Sequence, residues 1–277
     1  MKTRAWVASL LVVMAFTGCG SQRGLMPDLR GEPEALPVKA VVPESDAVFS
    51  DGFETYANEA AFEKVWSKDG APVYEFDATF GRASNKSVKM VDPGGGQGAT
   101  HRYYHDLPRA LTPSDAEPVE LSYDLHLDPA GAADEWKGAW QTVDIRGYAG
   151  GKYKAGDVTG VVSIGVARVS ANPWSSSYFQ SRIFNPPDNN LPGQYHTANT
   201  ENAAPKRTAG WHTLTARIGA TSTSVLVDGV PAGVFAEGIK EPLTSVVIGS
   251  GVGSGGHTMW CDNVVVRQRA VKKGDGH

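Results

Sequence analysis

Polar and aromatic side chains of the kind that bind sugars alternate along three segments of the chain. Glycan recognition uses aromatic rings for sugar faces and polar groups for hydroxyls or carboxylates. The segments VELSYDLHLD, GATHRYYHDL and SSYFQSRIF each place such groups on one face if they form strands, and nearby loops add tryptophans. The predicted ligand-binding residues are Tyr103, Asp124, His126, Trp136, Trp140, Tyr178, Gln180 and Arg182. A solvated sheet face would show similar residues, so the groove also depends on the fold.

A second chemistry would use an overlapping set of residues. Elimination on a uronate needs a cation or amide to neutralise the carboxylate and a base, often His or Tyr, to take the α-proton. The candidate lyase residues are His101, Tyr103, His126, Arg182 and Tyr195. Tyr195 lies in the long segment 185–210, which has no periodicity, and such long loops tend to be functional or disordered.

Short strands must position these residues. In VELSYDLHLD, Val119 and every second residue after it are apolar, which predicts a half-buried strand. NEAAFEKVW predicts one short helix near the start of the domain, with Asn58 as its N-cap. The other predicted strands are 72–80, 87–91, 99–105, 158–169, 177–184, 211–218, 223–228, 244–249 and 258–268. The pattern predicts an all-β, two-sheet antiparallel sandwich.

One late segment carries a family resemblance. GWHTLTARIGATSTSVLVDGVPAGVF is similar to a hairpin of concanavalin A-like, laminin G-like jelly rolls, in which a Trp-His pair precedes a strand and a second strand ends in an Asp-Gly turn. FSDGFETY and WCDNVVV resemble the terminal strands of related bacterial modules and of MAM-type domains. The resemblance implies a jelly-roll domain over residues 47–268. Lectins, glycoside hydrolases, polysaccharide lyases and adhesion modules share this fold, so it implies no single activity.

Motifs within that fold favour binding over catalysis. Retaining glucanases of this fold carry Glu-x-Asp-x-x-Glu or a close variant on one strand, because two carboxylates must flank the bond ~5–5.5 Å apart. The sequence lacks this motif; Glu120 and Asp124 have Ser122 between them. LSYDLHLDPAGAADEWKGAWQ is distantly similar to strands of jelly-roll lyases, without their glycine-rich segment. We therefore expect a non-catalytic glycan-binding module, with a uronate-specific lyase and an envelope protein-protein interaction module as alternatives.

The resemblance also implies a cation site. In such jelly rolls the first and last strands commonly lie side by side, which would bring Asp51 and Glu54 towards Asp262 and Asn263. Oxygen ligands of this kind suit Ca²⁺, so Asp51, Glu54 and Asp262 are the predicted ligands of a structural calcium ion. The alternative is that these acids are ordinary turn residues.

The N-terminus predicts export and a lipid anchor. Lys2 and Arg4 precede the apolar run AWVASLLVVMAF, which is shorter than the ~20 residues of a membrane-spanning helix. The following FTGCG resembles a bacterial lipobox, which implies that residues 1–18 are a signal peptide and that Cys19 is acylated and attached to the lipid bilayer. Gly20 in place of Asp favours the outer membrane of the bacterial cell envelope. The alternative is an ordinary secretory signal.

The remaining segments and the net charge add three expectations. The proline-containing residues 19–46 form a flexible tether behind the lipidated cysteine, and residues 269–277 form a disordered tail. With a formal net charge of −4 and no basic block, the chain is not expected to bind nucleic acid. The only cysteines are Cys19 and Cys261; acylation of the first leaves no intrachain disulfide, and the second is expected to be a small buried hydrophobe.

Overall fold

The computed structural model describes residues 46–70, 74–82, 84–91, 102–134, 136–154, 157–166, 179–184, 195–197, 206–249 and 256–268. The chain divides into the compact units Met1–Val42 and Pro43–His277, and the described residues all belong to the second. The predicted signal peptide, Cys19, tether and C-terminal tail lie outside these ranges. Within them, no helix has the length and apolar character needed to cross a bilayer.

The described part of the chain is built mainly from strands. The first half contains β1 (Ala47–Asp51), α1 (Glu59–Phe62), β2 (Ser67–Asp69), β3 (Tyr74–Asp77), β4 (Ser87–Val91), β5 (Arg102–Leu111), β6 (Val119–Leu127), a 3-10 helix (Pro129–Asp134) and β7 (Gln141–Tyr148). The second half contains β8 (Val158–Val166), β9 (Gln180–Phe184), β10 (Tyr195–Thr197), β11 (Gly210–Ile218), β12 (Thr223–Val227), β13 (Val230–Phe235), β14 (Leu243–Ile248) and β15 (Thr258–Gln268).

These strands form two antiparallel sheets. Sheet A has the order β13-β12-β11-β6-β15-β4-β3, and β1 also pairs with β15; sheet B has the order β10-β9-β8-β7-β14-β5-β2. The predicted all-β, two-sheet antiparallel sandwich is therefore confirmed. The predicted adjacency of the first and last strands is confirmed as well, because Asp51 of β1 is the register partner of Val264 in β15.

The inner faces of the two sheets form one hydrophobic core. The apolar residues of β6 that alternate from Val119 to Leu127 are all 0% exposed, as their spacing predicted. Tyr123, in the middle of this row, donates a hydrogen bond of 2.7 Å to the carbonyl of Ile164 in sheet B. Gly165 leaves room for this contact: it has φ +148, and a Cβ there would lie 2.9 Å from Tyr123 Oη. Cys261 is also fully buried.

Local signals in the sequence produced the expected local structures. The Asn58 side chain accepts a hydrogen bond of 3.0 Å from the Ala61 amide, so it caps α1. Asp228 and Gly229 have φ values of +52 and +79, and they form the tight turn between β12 and β13. The Asp228 carboxylate also accepts hydrogen bonds from His212 Nδ1 at 2.7 Å and from the Thr213 amide at 2.8 Å.

Candidate functional site

The sandwich places the predicted groove residues on opposite surfaces of the domain. Asp124 and His126 lie on β6 of sheet A, whereas Gln180 and Arg182 lie on β9 of sheet B. Alternate residues on both strands point into the shared core, so both pairs face outwards, away from each other. The expectation that they line one groove is therefore wrong. Strand spacing shows which residues share a face of a strand but does not show which sheet the strand joins.

Two of the predicted aromatic residues belong to the core. Tyr103 is 1% exposed, and its ring packs edge-on against Phe62 with centroids 4.7 Å apart. Trp136 is 3% exposed, and its indole N–H donates a hydrogen bond of 2.9 Å to the Asp128 carbonyl. Neither ring presents a face to a ligand, and Tyr103 is not accessible to act as a base. The prediction for both residues is wrong, because each ring packs in the core although polar residues flank it in the sequence.

The other predicted residues are placed as follows. Trp140 is half-buried and directly precedes β7. Tyr195 lies on β10 and is the register partner of Arg182 in sheet B. His101 and Tyr178 lie outside the described residues.

The outer face of sheet A is partly covered by the connection between β3 and β4. Phe80, in this connection, packs against His126, Trp211 and Trp260, with ring centroids 4.9, 5.6 and 4.8 Å away. The His126 Nδ1 atom is buried and has no hydrogen-bond partner among the described residues. Burial also lowers the pKa of His126. These rings stack on one another, so His126 is part of a small aromatic cluster within this face.

Arg82 extends this cover over Asp124. Its guanidinium group binds the Asp124 carboxylate and donates a hydrogen bond of 2.7 Å to Thr213 Oγ1. The Asn263 side-chain amide donates to the other Asp124 oxygen at 2.9 Å, and Thr213 Oγ1 donates to the first at 2.6 Å. Asp124 is 6% exposed, so its hydrogen-bonding capacity is used within the protein. The predicted ligand-binding role of Asp124 is therefore replaced by a structural one.

The predicted calcium ligands do not fit the ion. Both Asp51 oxygens accept hydrogen bonds from the protein: one from the Phe53 amide at 2.7 Å, the other from Tyr56 Oη and from Trp66 Nε1 at 2.8 Å. Glu54 accepts from Ser84. Among the described residues no group of three His, Cys, Asp or Glu side chains is arranged to hold a metal. Asp51 instead organises the aromatic residues that pack against β1.

The third predicted ligand, Asp262, is buried near other carboxylates. Its two oxygens accept hydrogen bonds from the backbone amides of Arg82 at 2.8 Å and Asn263 at 2.7 Å. Burial raises the pKa of Asp262 to about 6, and the nearby Asp124 and Glu54 carboxylates raise it further. The two backbone hydrogen bonds act in the opposite direction and lower this pKa.

The outer face of sheet B carries a buried polar cluster that sequence reasoning missed. It is centred on Asp144 and Arg146 of β7, which are 0% and 6% exposed. Thr142 on the same strand and Ser163 on β8 are also buried. Strand β7 was absent from the predicted elements. The alternation of Val143 and Ile145 with polar residues was the signal that indicated it.

Hydrogen bonds hold this cluster in one arrangement. Arg146 Nε donates to Asp144 Oδ2 at 2.9 Å, and a guanidinium NH2 group donates to the same oxygen. Thr142 Oγ1 donates to Asp144 Oδ1 at 2.9 Å, and Ser163 Oγ donates there too. Burial alone would lower the pKa of Arg146, but the Asp144 carboxylate raises it above its ordinary value. The pair is therefore charged and fixed in orientation.

A tyrosine cluster lies nearer the β2 edge of the same face. Tyr153, from the β7–β8 connection, stacks on Tyr104 of β5 with ring centroids 3.8 Å apart and an interplanar angle of 11°. Tyr153 Oη donates to Asp69, and its amide donates to Asp106 Oδ1 at 2.8 Å. Burial and the bond to Asp69 raise the pKa of Tyr153, and burial raises that of Tyr148 to about 12. Both phenols therefore remain protonated donors at neutral pH.

The outward groups of β7 are a hydroxyl, a carboxylate and a guanidinium group. Residues Thr142, Asp144 and Arg146 occupy three successive outward positions of β7, so the strand presents one carboxylate there, already bound to an arginine. A retaining glycosidase needs two carboxylates ~5–5.5 Å apart, one of them able to donate a proton. The polar groups of β7 are instead a fixed and buried set of donors and acceptors that bind one another.

Comparisons with known proteins define the fold and no family. No protein-family model matches the sequence, and no curated protein matches it either. A glycoside hydrolase family 16 protein of a mixed-linkage glucan PUL of Bacteroides ovatus, solved in complex with a G4G4G3G product, has a TM-score of 0.52 and 14% identity over 79% of this chain and 99% of that chain. The structure of a glycoside hydrolase family 16 endo-glucanase from this organism gives the same values.

A binding domain provides another structural match. The binding domain of Paraclostridial mosquitocidal protein 1 has a TM-score of 0.50 and 10% identity over 84% of this chain and 51% of that chain. At these identities the likeness concerns the fold. The predicted concanavalin A-like jelly-roll sandwich is confirmed.

Proposed function

We propose that this chain is a glycan-binding module that does not cleave its ligand and is held on the outside of a bacterial membrane by acylated Cys19. The outer face of sheet B is the glycan site in this proposal. The observation that carries it is the buried, hydrogen-bonded cluster around Asp144 and Arg146 on that face. The fold adds support, since a glycoside hydrolase family 16 protein with a similar fold is solved in complex with a G4G4G3G product.

If the outer face of sheet B were an ordinary solvated surface, there would be no reason for the charged groups of this cluster to be buried. Removing charged groups from water is costly, and apolar residues of similar volume are often no less stable. Both Asp144 oxygens are used by Thr142, Ser163 and Arg146, so in this proposal the cluster fixes the sheet around the more exposed Arg182 and does not itself contact the sugar. A preorganised surface of this kind loses little entropy when it binds a ligand. With strands ~4.8 Å apart, the seven strands of sheet B extend over roughly 29 Å, which suits a chain of several sugar rings.

A binding assay with paired arginine variants tests the site. Arg182 lies on the outer face of sheet B, where it is the register partner of Ser163 in β8. Arg217 lies on the outer face of sheet A, where it forms an ion pair with Glu120 at 3.0 Å. We expect the full-length protein in detergent to bind a neutral polysaccharide such as mixed-linkage glucan. Arg182→Ala should weaken this binding by about tenfold or more, because a hydrogen bond to a charged donor contributes ~1.5–3 kcal/mol.

The matched control is Arg217→Ala, which should bind like the wild type. Equal losses in the two arginine variants, or a loss in Arg217→Ala alone, would place the site elsewhere. Glycan binding is contradicted if no polysaccharide in a panel of neutral and uronate-containing chains is retained.

Product analysis of the same incubations separates binding from the lyase alternative. Among the predicted lyase residues that the structure describes, Tyr103 is in the core, His126 faces outwards from sheet A and Arg182 lies on sheet B. We therefore expect chains of unchanged length. Shortened chains with an unsaturated end that absorbs ultraviolet light would support a lyase instead, and capture of an envelope protein without any glycan binding would support the interaction module.

A further inference from the structure

We propose that the ring of Tyr153 is a stacking platform for one neutral sugar ring of the ligand, at the β2 end of the sheet B face. This inference rests on the proposed function and narrows the ligand to a glycan with an uncharged residue at that position. Its basis is a tyrosine whose ring is fixed on one side and which remains partly exposed.

The orientation of Tyr153 follows from three contacts. Its ring lies parallel on Tyr104 at 3.8 Å, and Tyr104 points outwards because the preceding Tyr103 is in the core. Tyr104 therefore covers one face of the Tyr153 ring, Tyr148 packs beside it, and Tyr153 as a whole remains partly exposed. The backbone amide is bound to Asp106 and the hydroxyl to Asp69, so the ring is held in place at both ends. A preorganised ring of this kind loses little entropy when a ligand stacks on it.

Polar groups beside the ring can bind the hydroxyls of a stacked sugar. The side chains of Asp69 and Arg102 remain 27% and 15% exposed, with Arg102 3.8 Å from Asp69. Arg102 also donates to Tyr153 Oη at 3.3 Å. Both Asp and Arg offer paired hydrogen-bonding atoms suited to adjacent hydroxyls.

A neighbouring tyrosine connects the ring to the polar cluster of β7. Tyr148 packs beside Tyr153 with ring centroids 5.1 Å apart and is 4% exposed. The Arg146 guanidinium group interacts with the Tyr148 hydroxyl and opposes the rise in its pKa that burial causes. Tyr148 therefore links Tyr153 to the cluster around Asp144 and Arg146.

The charges around Tyr153 indicate a neutral sugar. Two carboxylates, Asp69 and Asp106, and one guanidinium group, Arg102, contact Tyr153. Their sum is negative, so the carboxylate of a uronate would be repelled at this position. An uncharged ring with hydroxyl groups meets no such penalty.

Two variants at the same residue test the platform. Affinity of the full-length protein for mixed-linkage glucan, galactomannan and starch is measured by affinity electrophoresis, with alginate as the uronate probe. We expect Tyr153→Ala to lower affinity for the bound neutral glycan by about tenfold. Tyr153→Phe keeps the ring and loses only the hydroxyl, so it should stay within about threefold of wild type. Alginate should bind at least about tenfold more weakly than the best neutral probe.

The matched control is Phe80→Ala, which removes a half-buried ring from the opposite, sheet A face and should leave affinity unchanged. If Tyr153→Ala binds like wild type while Arg182→Ala does not, the platform is wrong and the glycan site on sheet B stands. Preference for alginate overturns the neutral-sugar assignment, and retention of no probe overturns both proposals.

A second measurement covers the case in which Tyr153→Ala fails to fold. Wild-type protein is nitrated with tetranitromethane, with and without the bound glycan, and the tyrosines are mapped by mass spectrometry. A stacked sugar should protect Tyr153 by at least about threefold without changing nitration of Tyr56, which is buried beside Asp51. Equal nitration of Tyr153 in both samples would exclude the stacking contact.

Discussion

Asp51 shows how one carboxylate can organise a group of aromatic residues. Its oxygens accept hydrogen bonds from Phe53, Tyr56 and Trp66, which pack with Phe62 at centroid distances of 5.5–6.1 Å. The desolvation cost of the carboxylate is offset by these three donors. The acid in DGFETY that suggested a metal is thus explained by its own neighbours.

Removal of the Asp51 carboxylate should therefore be strongly destabilising. Asp51→Ala leaves the buried Tyr56 hydroxyl and Trp66 indole N–H without an acceptor, so we expect a loss of roughly 3 kcal/mol in the free energy of unfolding. The measurement is urea denaturation followed by tryptophan fluorescence. Glu75→Ala, which removes an exposed partner of Lys89, is the control and should cost under about 1 kcal/mol. Equal effects in both variants would contradict this role.

The same arrangement leads to a prediction about metal removal. Because the oxygens of Asp51 and Asp262 accept hydrogen bonds within the protein, we expect chelation of calcium to leave the midpoint of thermal unfolding unchanged. Scanning calorimetry with EGTA and with added calcium measures this directly. A midpoint that rises with calcium in the wild type but not in Asp262→Asn would restore the site predicted from the sequence.

Asp262 should also impose a pH dependence on stability. Burial raises its pKa to about 6 in the folded protein from the ordinary value of 3.8, so between these pH values the folded state binds more protons than the unfolded state. Stability from this group is therefore greatest below pH ~4 and is lost as pH rises towards ~6, by an amount on the order of 2 kcal/mol.

Asp262→Asn isolates this contribution from that of the other acids. We expect the variant to gain stability relative to the wild type as pH rises from about 4 to about 6, with a constant difference above that. Urea unfolding at several pH values in both proteins provides the test. Parallel pH profiles would mean that Asp262 is ionised throughout.

At the residue scale, the alternation of β6 and the Asn58 cap could be predicted from the sequence, but the burial of each aromatic ring could not. Tyr103 and Trp136 carry polar atoms that suit a surface, and both are buried with those atoms close to an internal acceptor. Such acceptors come from other elements, so the outcome depends on contacts that spacing does not reveal.

At the element scale, the strands predicted from alternation formed, and the main omission was β7. Strand β5 runs further than predicted, through Pro108 to Leu111, and its pairing with β14 shifts register between Asp106 and Leu111. A proline without an N–H is tolerated at such an irregularity. Sheet membership was the information that the sequence lacked, because it depends on pairings between distant segments.

The contact between β8 and the opposite sheet depends on a glycine. Gly165→Ala would place a methyl group 2.4 Å from the Gln141 carbonyl and 2.9 Å from Tyr123 Oη, at φ +148. We expect a loss of roughly 3 kcal/mol or more in the free energy of unfolding. Gly151→Ala is the matched control: its φ is also positive, at +73, but nothing lies within 4 Å, so the cost should be only about 1–2 kcal/mol.

Urea denaturation of the two glycine variants measures the difference. If Gly165→Ala is no worse than Gly151→Ala, the sheets have room to move apart at this point, and the Tyr123 contact does not set their separation.

At the scale of the whole molecule, the two sheets differ in what covers them. Phe80 and Arg82 lie over part of the outer face of sheet A. The outer face of sheet B carries the polar and tyrosine clusters assigned to the glycan, and its central residues Thr142, Asp144 and Ser163 are also buried. The lipid anchor proposed at Cys19 would keep this domain at a membrane surface.

A single substitution tests the anchor. Cys19→Ser removes the thiol that would be acylated, so in a bacterial host the protein should lose incorporated radiolabelled palmitate and move from the membrane to the soluble fraction. The wild type should partition into detergent and the variant into the aqueous phase. Unchanged membrane association of Cys19→Ser would show that another segment holds the protein.

The pairing of β1 with β15 has a consequence for how the domain assembles. Strand β15 lies between β6 and β4 and also pairs with β1, so sheet A joins segments from both ends of the domain. Contacts between such distant segments make folding slow. If the chain crosses a membrane N-terminus first, β15 is the last strand to emerge, and sheet A cannot be completed before it does. The polypeptide would then stay extended, and so transportable, until translocation is nearly finished.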